Sequence, residues 1–310
     1  MSYAFAETLI GTHLSWKKCL MSIDGVNRFA IDDDSYLVIS GDSGSSWQEF
    51  FGGSIDDFAI DKTGQYVLLI SEGALYLSTD YGEAFDEIVT WPGYGEPTYA
   101  LKKVAINGDK TELFIGFSIS GGDYVWFSSS DDGATWDFLT LPGTGNSVGL
   151  VVNDDSTVII VQQLVNIYKT LNNGADWTLI YEADEYGMSL DTMISASNDG
   201  LIILIAEVDR YYPEYYKIVL STNGGDTWSE ETFSPSPYFA RVVKVSHDGS
   251  RCFFLGSDYM YDRTSSWQSV SLPVVITDPP PEYFWVWKCV DCSEDGKLVL
   301  VGLRAEMGEK

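Results

Sequence analysis

Seven times along the chain an apolar run is interrupted by a polar turn and then resumes. The turns are SIDG at Ser22–Gly25, DKTG at Asp61–Gly64, INGD at Ile106–Asp109, NDDS at Asn153–Ser156, SNDG at Ser197–Gly200, SHDG at Ser246–Gly249 and SEDG at Ser293–Gly296. The runs that follow include YVLLI, ELFIGF, TVIIVQ, LIILIAE, RCFFLG and KLVLVG. Short runs rich in β-branched and aromatic residues, bounded by turn clusters, predict strands. No long segment carries the 3.6-residue period of an amphipathic helix.

A second mark repeats after each of the first five units. It reads Ser/Thr-x-Asp/Asn-x-Gly-x-x-Trp/Phe, at Ser40–Trp47, Ser78–Phe85, Ser129–Trp136, Thr170–Trp177 and Ser221–Trp228. A worn copy ends at Trp267; Asp262 keeps the acid and Thr264 replaces the glycine. The oxygens of Asp42, Asp80, Asp131, Asn172 and Asn223 suit turn amides. Gly44, Gly82, Gly133, Gly174 and Gly225 permit a positive φ. Trp47, Phe85, Trp136, Trp177 and Trp228 are large apolar plugs. Asn replaces Asp without losing the acceptor oxygen, so the copies are expected to be structural fasteners rather than repeated ligand sites.

Each unit then reads strand a, polar turn, strand b, loop, strand c, eight-residue turn, strand d. Four short antiparallel strands in a unit of about 40–50 residues describe a β-propeller blade. The expectation is an all-β, seven-bladed propeller in one domain, 1–310. Its blades are near 17–55, 56–98, 99–146, 147–190, 191–238 and 239–284, with 285–310 plus 1–16 as the last. WKCVDCSEDG at Trp287–Gly296 matches WKKCLMSIDG at Trp16–Gly25, so the last unit restarts the first. It has room only for strands a and b. Tyr3–Ile10 is expected to supply its outer strand and close the ring, which removes exposed edges.

The eight-residue pattern resembles the Asp-box, or BNR repeat. That repeat occurs in sialidases, sortilin-type receptors, xyloglucan hydrolases, a photosystem II assembly factor and some lectins. The resemblance covers most of the chain and implies the blade type. It also implies a ligand over the central channel, on the side where the d–a links and b–c loops emerge. Function does not follow from it, since one fold hosts many activities.

Charge narrows the partners. The chain carries 46 acidic against 18 basic residues, a formal charge of −28. That argues against nucleic acid and anionic membranes, which take a basic footprint. It also argues against the basic patch that the photosystem factor carries. No apolar run is long enough to span a bilayer, and the start lacks a signal-peptide pattern; localisation and oligomeric state stay open. Cys289 and Cys292 fall in a strand, where residues three apart face opposite sides, so burial is expected rather than a metal or redox pair. No phosphate-binding loop or calcium pattern occurs, so no cofactor and no metal are expected.

The long d–a and b–c loops carry the candidate binding residues: Trp91, Tyr94, Glu96, Asp123, Tyr124, Glu185, Tyr186, Asp209, Tyr211, Tyr212, Tyr238, Glu282, Tyr283 and Trp285. Aromatics with polar tips beside carboxylates suit sugar hydroxyls or a protein partner. Sialidase chemistry lacks its Arg-Ile-Pro signature here, and His13 and His247 offer little for histidine catalysis. The expected function is a non-catalytic binding or assembly module for a protein or glycan, as in a virion, phage tail or extracellular assembly, with no catalytic residue. The alternative is a glycoside hydrolase using a carboxylate pair on the same face.

Overall fold

The computed structural model describes residues 16–32, 34–52, 54–90, 92, 100–118, 124–142, 147–163, 165–183, 194–208, 216–233, 240–256, 259–270 and 283–307. The strands fall into seven antiparallel sheets, in chain order. The first is β1 (Trp16–Met21), β2 (Arg28–Asp32), β3 (Tyr36–Ser40) and β4 (Gln48–Gly52). The second is β5 (Ile55–Ile60), β6 (Val67–Ser71), β7 (Ala74–Ser78) and β8 (Asp86–Ile88). The third is β9 (Ala100–Ile106), β10 (Leu113–Ser118), β11 (Tyr124–Ser129) and β12 (Asp137–Leu139). The fourth is β13 (Ser147–Val152), β14 (Ile159–Gln163), β15 (Asn166–Thr170) and β16 (Thr178–Glu182). The fifth is β17 (Ile194–Ala196), β18 (Ile203–Val208), β19 (Tyr216–Ser221) and β20 (Ser229–Glu231). The sixth is β21 (Ala240–Val245), β22 (Cys252–Gly256), β23 (Met260–Arg263) and β24 (Trp267–Val270). The seventh has only β25 (Tyr283–Cys292) and β26 (Val299–Met307).

The fold is a β-propeller with four-stranded antiparallel blades. The expectation of seven such blades is corrected: the described residues hold six four-stranded sheets and one two-stranded sheet. Only β25 and β26 of the seventh sheet lie within the described residues. Tyr3–Ile10, expected to complete that sheet, lies outside the described residues.

Neighbouring sheets pack face to face. Phe29, Ile31, Leu37 and Ile39 of the first meet Phe58, Val67 and Leu69 of the second. Equivalent apolar clusters follow between each successive pair. Phe253, Leu255 and Met260 meet Val290 and Cys292 of the seventh sheet, and Cys289 meets Cys19, Ala30 and Val38 of the first. The ring therefore closes. The second strands are sandwiched between flanking sheets on both faces, so β6, β14 and β22 are buried at every position. That double burial is why these runs are continuously apolar rather than alternating.

The seven polar turns form a circuit of their own. Backbone bonds run Ile23 N to Lys62 O (2.9 Å), Lys62 N to Gly108 O (3.1 Å) and Asp109 N to Asp154 O (2.9 Å). Asp154 N then donates to Asn198 Oδ1 at 2.8 Å. Asn198 N to His247 O (2.9 Å), Asp248 N to Glu294 O (3.0 Å) and Glu294 N to Ile23 O (2.7 Å) complete the circle.

The eight-residue turns fold alike. In the first, Gly44 N donates to Ser40 Oγ at 2.9 Å and Ser46 N to Asp42 Oδ1 at 2.8 Å. The Asn copies do the same, with Asp176 N 2.9 Å from Asn172 Oδ1 and Thr227 N 3.0 Å from Asn223 Oδ1. Hydrogen bonds, first that from the Ser46 hydroxyl, pull the exposed Asp42 carboxyl down to about 2. The turn glycine also abuts the preceding sheet. A Cβ on Gly82, at φ +86°, would lie 2.4 Å from Ile39 Cδ1. Gly73 has a similar φ, +81°, but nothing within 4 Å of the same position. Gly73→Ala should therefore lose only the left-handed strain, roughly 1–2 kcal/mol. Gly82→Ala should lose that plus the cost of turning the Ile39 tip aside, about 0.5–1.5 kcal/mol. Urea denaturation of the two variants checks this; equal losses would remove the inter-sheet contact from the account.

Candidate functional site

The inner strands β1, β5, β9, β13, β17, β21 and β25 surround the axis. Their axial edges have no ladder partner, which leaves backbone donors to satisfy in other ways. Among the described residues six of the seven carry a β-bulge. The extra residue is Lys17, Asp56, Lys102, Val148, Arg241 and Lys288 respectively. Each stands five positions before the first polar residue of its turn. A bulge adds twist and re-aims a side chain, and four of these six residues are basic. The strands enclose a cavity of about 870 Å³ lined by Lys17, Lys18, Lys62, Lys103, Lys244 and Lys288. Among the described residues four carboxylates line it: Asp57, Asp61, Asp154 and Asp291. The sequence expectation that no basic patch exists is thus corrected. The chain is acidic as a whole and basic along its axis.

Two axial carboxylates are fully engaged. Lys18 Nζ lies 2.7 Å from Asp57 Oδ1 and 2.6 Å from Phe58 O, while Val104 N donates to Asp57 Oδ2 at 3.2 Å. Lys244 Nζ lies 2.6 Å from Asp291 Oδ1, and Met21 N donates to Asp291 Oδ2 at 2.7 Å. Each unit runs lysine, aspartate, amide across three consecutive sheets. Burial opposes charge on Lys244, yet Asp291 outweighs it and holds the ammonium above its ordinary range. Ser195 does the neutral equivalent, accepting from Val245 N at 3.0 Å.

The turn-side mouth is crossed by a second network. His247 Nε2 lies 3.0 Å from Asp154 Oδ1, Lys62 Nζ lies 3.6 Å from Asp154 Oδ2, and Lys62 also pairs with Asp109. The hydrogen bond to Asp154 raises the His247 imidazole above its usual value. Burial works against the Asp154 charge, but His247 and Lys62 prevail and lower it.

The sequence-predicted binding residues fall largely outside this geometry. Trp91, Tyr94, Glu96, Asp123, Glu185, Tyr186, Asp209, Tyr211, Tyr212, Tyr238 and Glu282 lie outside the described residues. Tyr124 begins β11 and Tyr283 begins β25, with Trp285 two residues on. The axial lysines were not singled out from the sequence. Aligning the seven turns would have found Lys17 and Lys288, which share one column with Lys102 and Arg241. Cys289 and Cys292 face opposite neighbours, the first and the sixth sheet. Burial pushes the Cys292 thiol up to about 12, and Cys252 likewise. Buried thiols in that range are inert. Among the described residues no cluster of three or more His, Cys, Asp or Glu could hold a metal.

No protein-family model matches the chain, and no curated protein matches its sequence. Solved structures do match. YCF48 bound to D1 peptide superposes with a TM-score of 0.64 at 12% identity, covering 98% of this chain and 97% of that one. YCF48 from Cyanidioschyzon merolae gives 0.65 at 11% identity, covering 96% and 97%. An ancestral GH74 enzyme gives 0.64 at 13% identity; 84% of this chain aligns with 37% of the enzyme. The likeness is one of fold.

Two outcomes test the axial networks. Asp291→Ala leaves Lys244 and the Met21 amide without their acceptor and should destabilise the protein by about 3–5 kcal/mol; urea melts will show it, and a loss under 1 kcal/mol would remove the stitch. For His247, the folded pKa lies above the 6.5 of the free side chain. Protonation therefore favours the native state. That contribution is complete below pH 6.5, and it fades as pH rises through the raised value. His247→Gln should flatten the stability–pH curve in that window, as read by melts at stepped pH.

Proposed function

We propose that the protein is a non-catalytic recognition and assembly module. It is read as a seven-bladed ring of Asp-box blades that binds a protein partner where the d–a and b–c loops emerge. The observation that carries the reading is the fate of Asp57 and Asp291. Both are bound by lysine and by a backbone amide across three sheets, so they hold the wall together. A glycosidase needs one carboxylic acid and one free carboxylate at a set separation. Likeness to a peptide-bound structure of nearly the same length is consistent with a protein partner. The Tyr-rich loops, with Tyr211 and Tyr212 at their centre, suit such contacts.

Ring closure by Tyr3–Ile10 belongs to the same reading. β26 is nine residues long and pairs only with β25 among the described residues. Trp177 Nε1 donates to Thr140 O and Trp228 Nε1 to Ile180 O, each a carbonyl at the outer strand of the preceding sheet. The matching Trp47 Nε1 is buried and meets no acceptor among the described residues. Its preceding sheet is the seventh, where the outer strand would come from Tyr3–Ile10.

The partner reading is tested by a pull-down with the intact protein and with Tyr211→Ala/Tyr212→Ala, beside a reducing-sugar assay on xyloglucan. A partner captured by the wild type and lost with the double variant, without sugar release, is expected. Sugar release abolished by Asp209→Asn or Glu282→Gln would overturn it in favour of the hydrolase. Closure predicts that deleting residues 1–15 lowers the melting temperature by several degrees and that the peptide added in trans restores it. An unchanged melt would place the strand elsewhere.

A further inference from the structure

Among the described residues the axial cavity is lined by more lysines than carboxylates. Of 18 basic residues in a chain of formal charge −28, Lys17, Lys18, Lys102, Lys103, Arg241, Lys244 and Lys288 all lie on the inner strands. Chance does not gather them there; the repeated bulge gives four of them the same register position. Lys18 and Lys244 are spent on Asp57 and Asp291. Lys17 donates to a neutral group, Ser35 Oγ, at 2.8 Å. Lys103 lines the same cavity, half-buried, and makes no ion pair among the described residues. Like charges held around one void repel, and the local field rises where low-dielectric walls confine it.

We propose that this cavity is a binding site for a compact polyanion bearing several phosphate or carboxylate groups. Lys17 and Lys103 would be its principal contacts. The volume, about 870 Å³, lies within the range of small-molecule sites. Size and charge argue together for a compact ligand. The acidic exterior repels an extended polyanion, while a small one feels mainly the axial lysines within a Debye length of about 10 Å. Lys62, Asp154 and His247 bridge the turn-side mouth. The site is separate from the loop rim proposed for a protein partner, so each can fail alone.

The test is calorimetric titration of the intact protein with pyrophosphate and, separately, with citrate at low ionic strength. Saturable one-to-one binding of at least one is expected, weakening as salt is added. Tighter pyrophosphate binding assigns the site to phosphate groups, and tighter citrate binding to carboxylates. Lys17→Gln/Lys103→Gln should weaken binding at least tenfold. Its unliganded melting temperature should stay level or rise, because repulsion is relieved. Lys297→Gln, on a side chain 78% exposed in the last turn, should bind as the wild type does. Should the double variant not fold, Lys103→Gln alone should show at least a threefold loss. Absence of saturable binding to either anion would overturn the proposal. So would binding by the folded variant within twofold of wild type.

Discussion

The structure depends on satisfying the axial edge of seven inner strands. Within a sheet each strand finds its partner, but the first strand of every sheet turns one edge to the channel, where no ladder continues. Unpaired backbone groups there would be costly if buried and adhesive if exposed. Three devices answer the problem. The polar turns bond head to tail in a closed circle. Asp57, Ser195 and Asp291 accept amide hydrogens from a neighbouring sheet. Bulges interrupt the register of the remaining residues.

Charge on the axis follows from that choice. A carboxylate is a strong acceptor for an amide, but a buried carboxylate must be compensated. Lys18 and Lys244 do so from the sheet before. The stitches therefore bring lysines to the channel wall, in a chain whose surface is overwhelmingly acidic. Lys17 and Lys103 add positive charge to that wall without a carboxylate partner among the described residues. Structure and binding chemistry share the same strands, and the same substitution can affect both. Lys17 and Lys103 are informative because neither is tied into a carboxylate stitch.

How much of this could be read from the sequence depended on periodicity. The second strands were legible because burial on both faces forces unbroken apolar runs such as YVLLI and RCFFLG. The turns were legible because their glycines and aspartates have few substitutes: at Gly82 a side chain would strike Ile39. The inner strands hid their chemistry. WKKCLM and ALKKVAI read as ordinary half-polar strands, and nothing local says that residue 17 or 102 is the extra one in a bulge. Nor can net charge reveal a concentric arrangement, acid outside and base within. The last unit was legible only as strands a and b, and those two, β25 and β26, are what the described residues hold of it. The loop candidates, from Trp91 to Glu282, rested on composition rather than on any repeated spacing.

The worn sixth copy shows what the eight-residue turn preserves when its motif decays. Thr264 stands where the glycine was, and Asp262 no longer serves the turn alone. Arg251 takes that carboxylate in a buried pair, with Nε 3.1 Å from Asp262 Oδ1, and reaches Gly296 O of the next sheet at 3.0 Å through Nη1. Trp267 meanwhile donates Nε1 to Glu231 Oε2, on the outer strand of the preceding sheet, at 2.7 Å. The internal hydrogen bonds have been replaced, yet the links forward and backward remain. The indole bond to the sheet before is also what Trp177 and Trp228 make. The feature these copies share is thus the joint between sheets. Among the described residues no ladder joins one sheet to the next, so beyond the chain's own links the outer joints and the axial stitches resist the same opening motion from opposite ends.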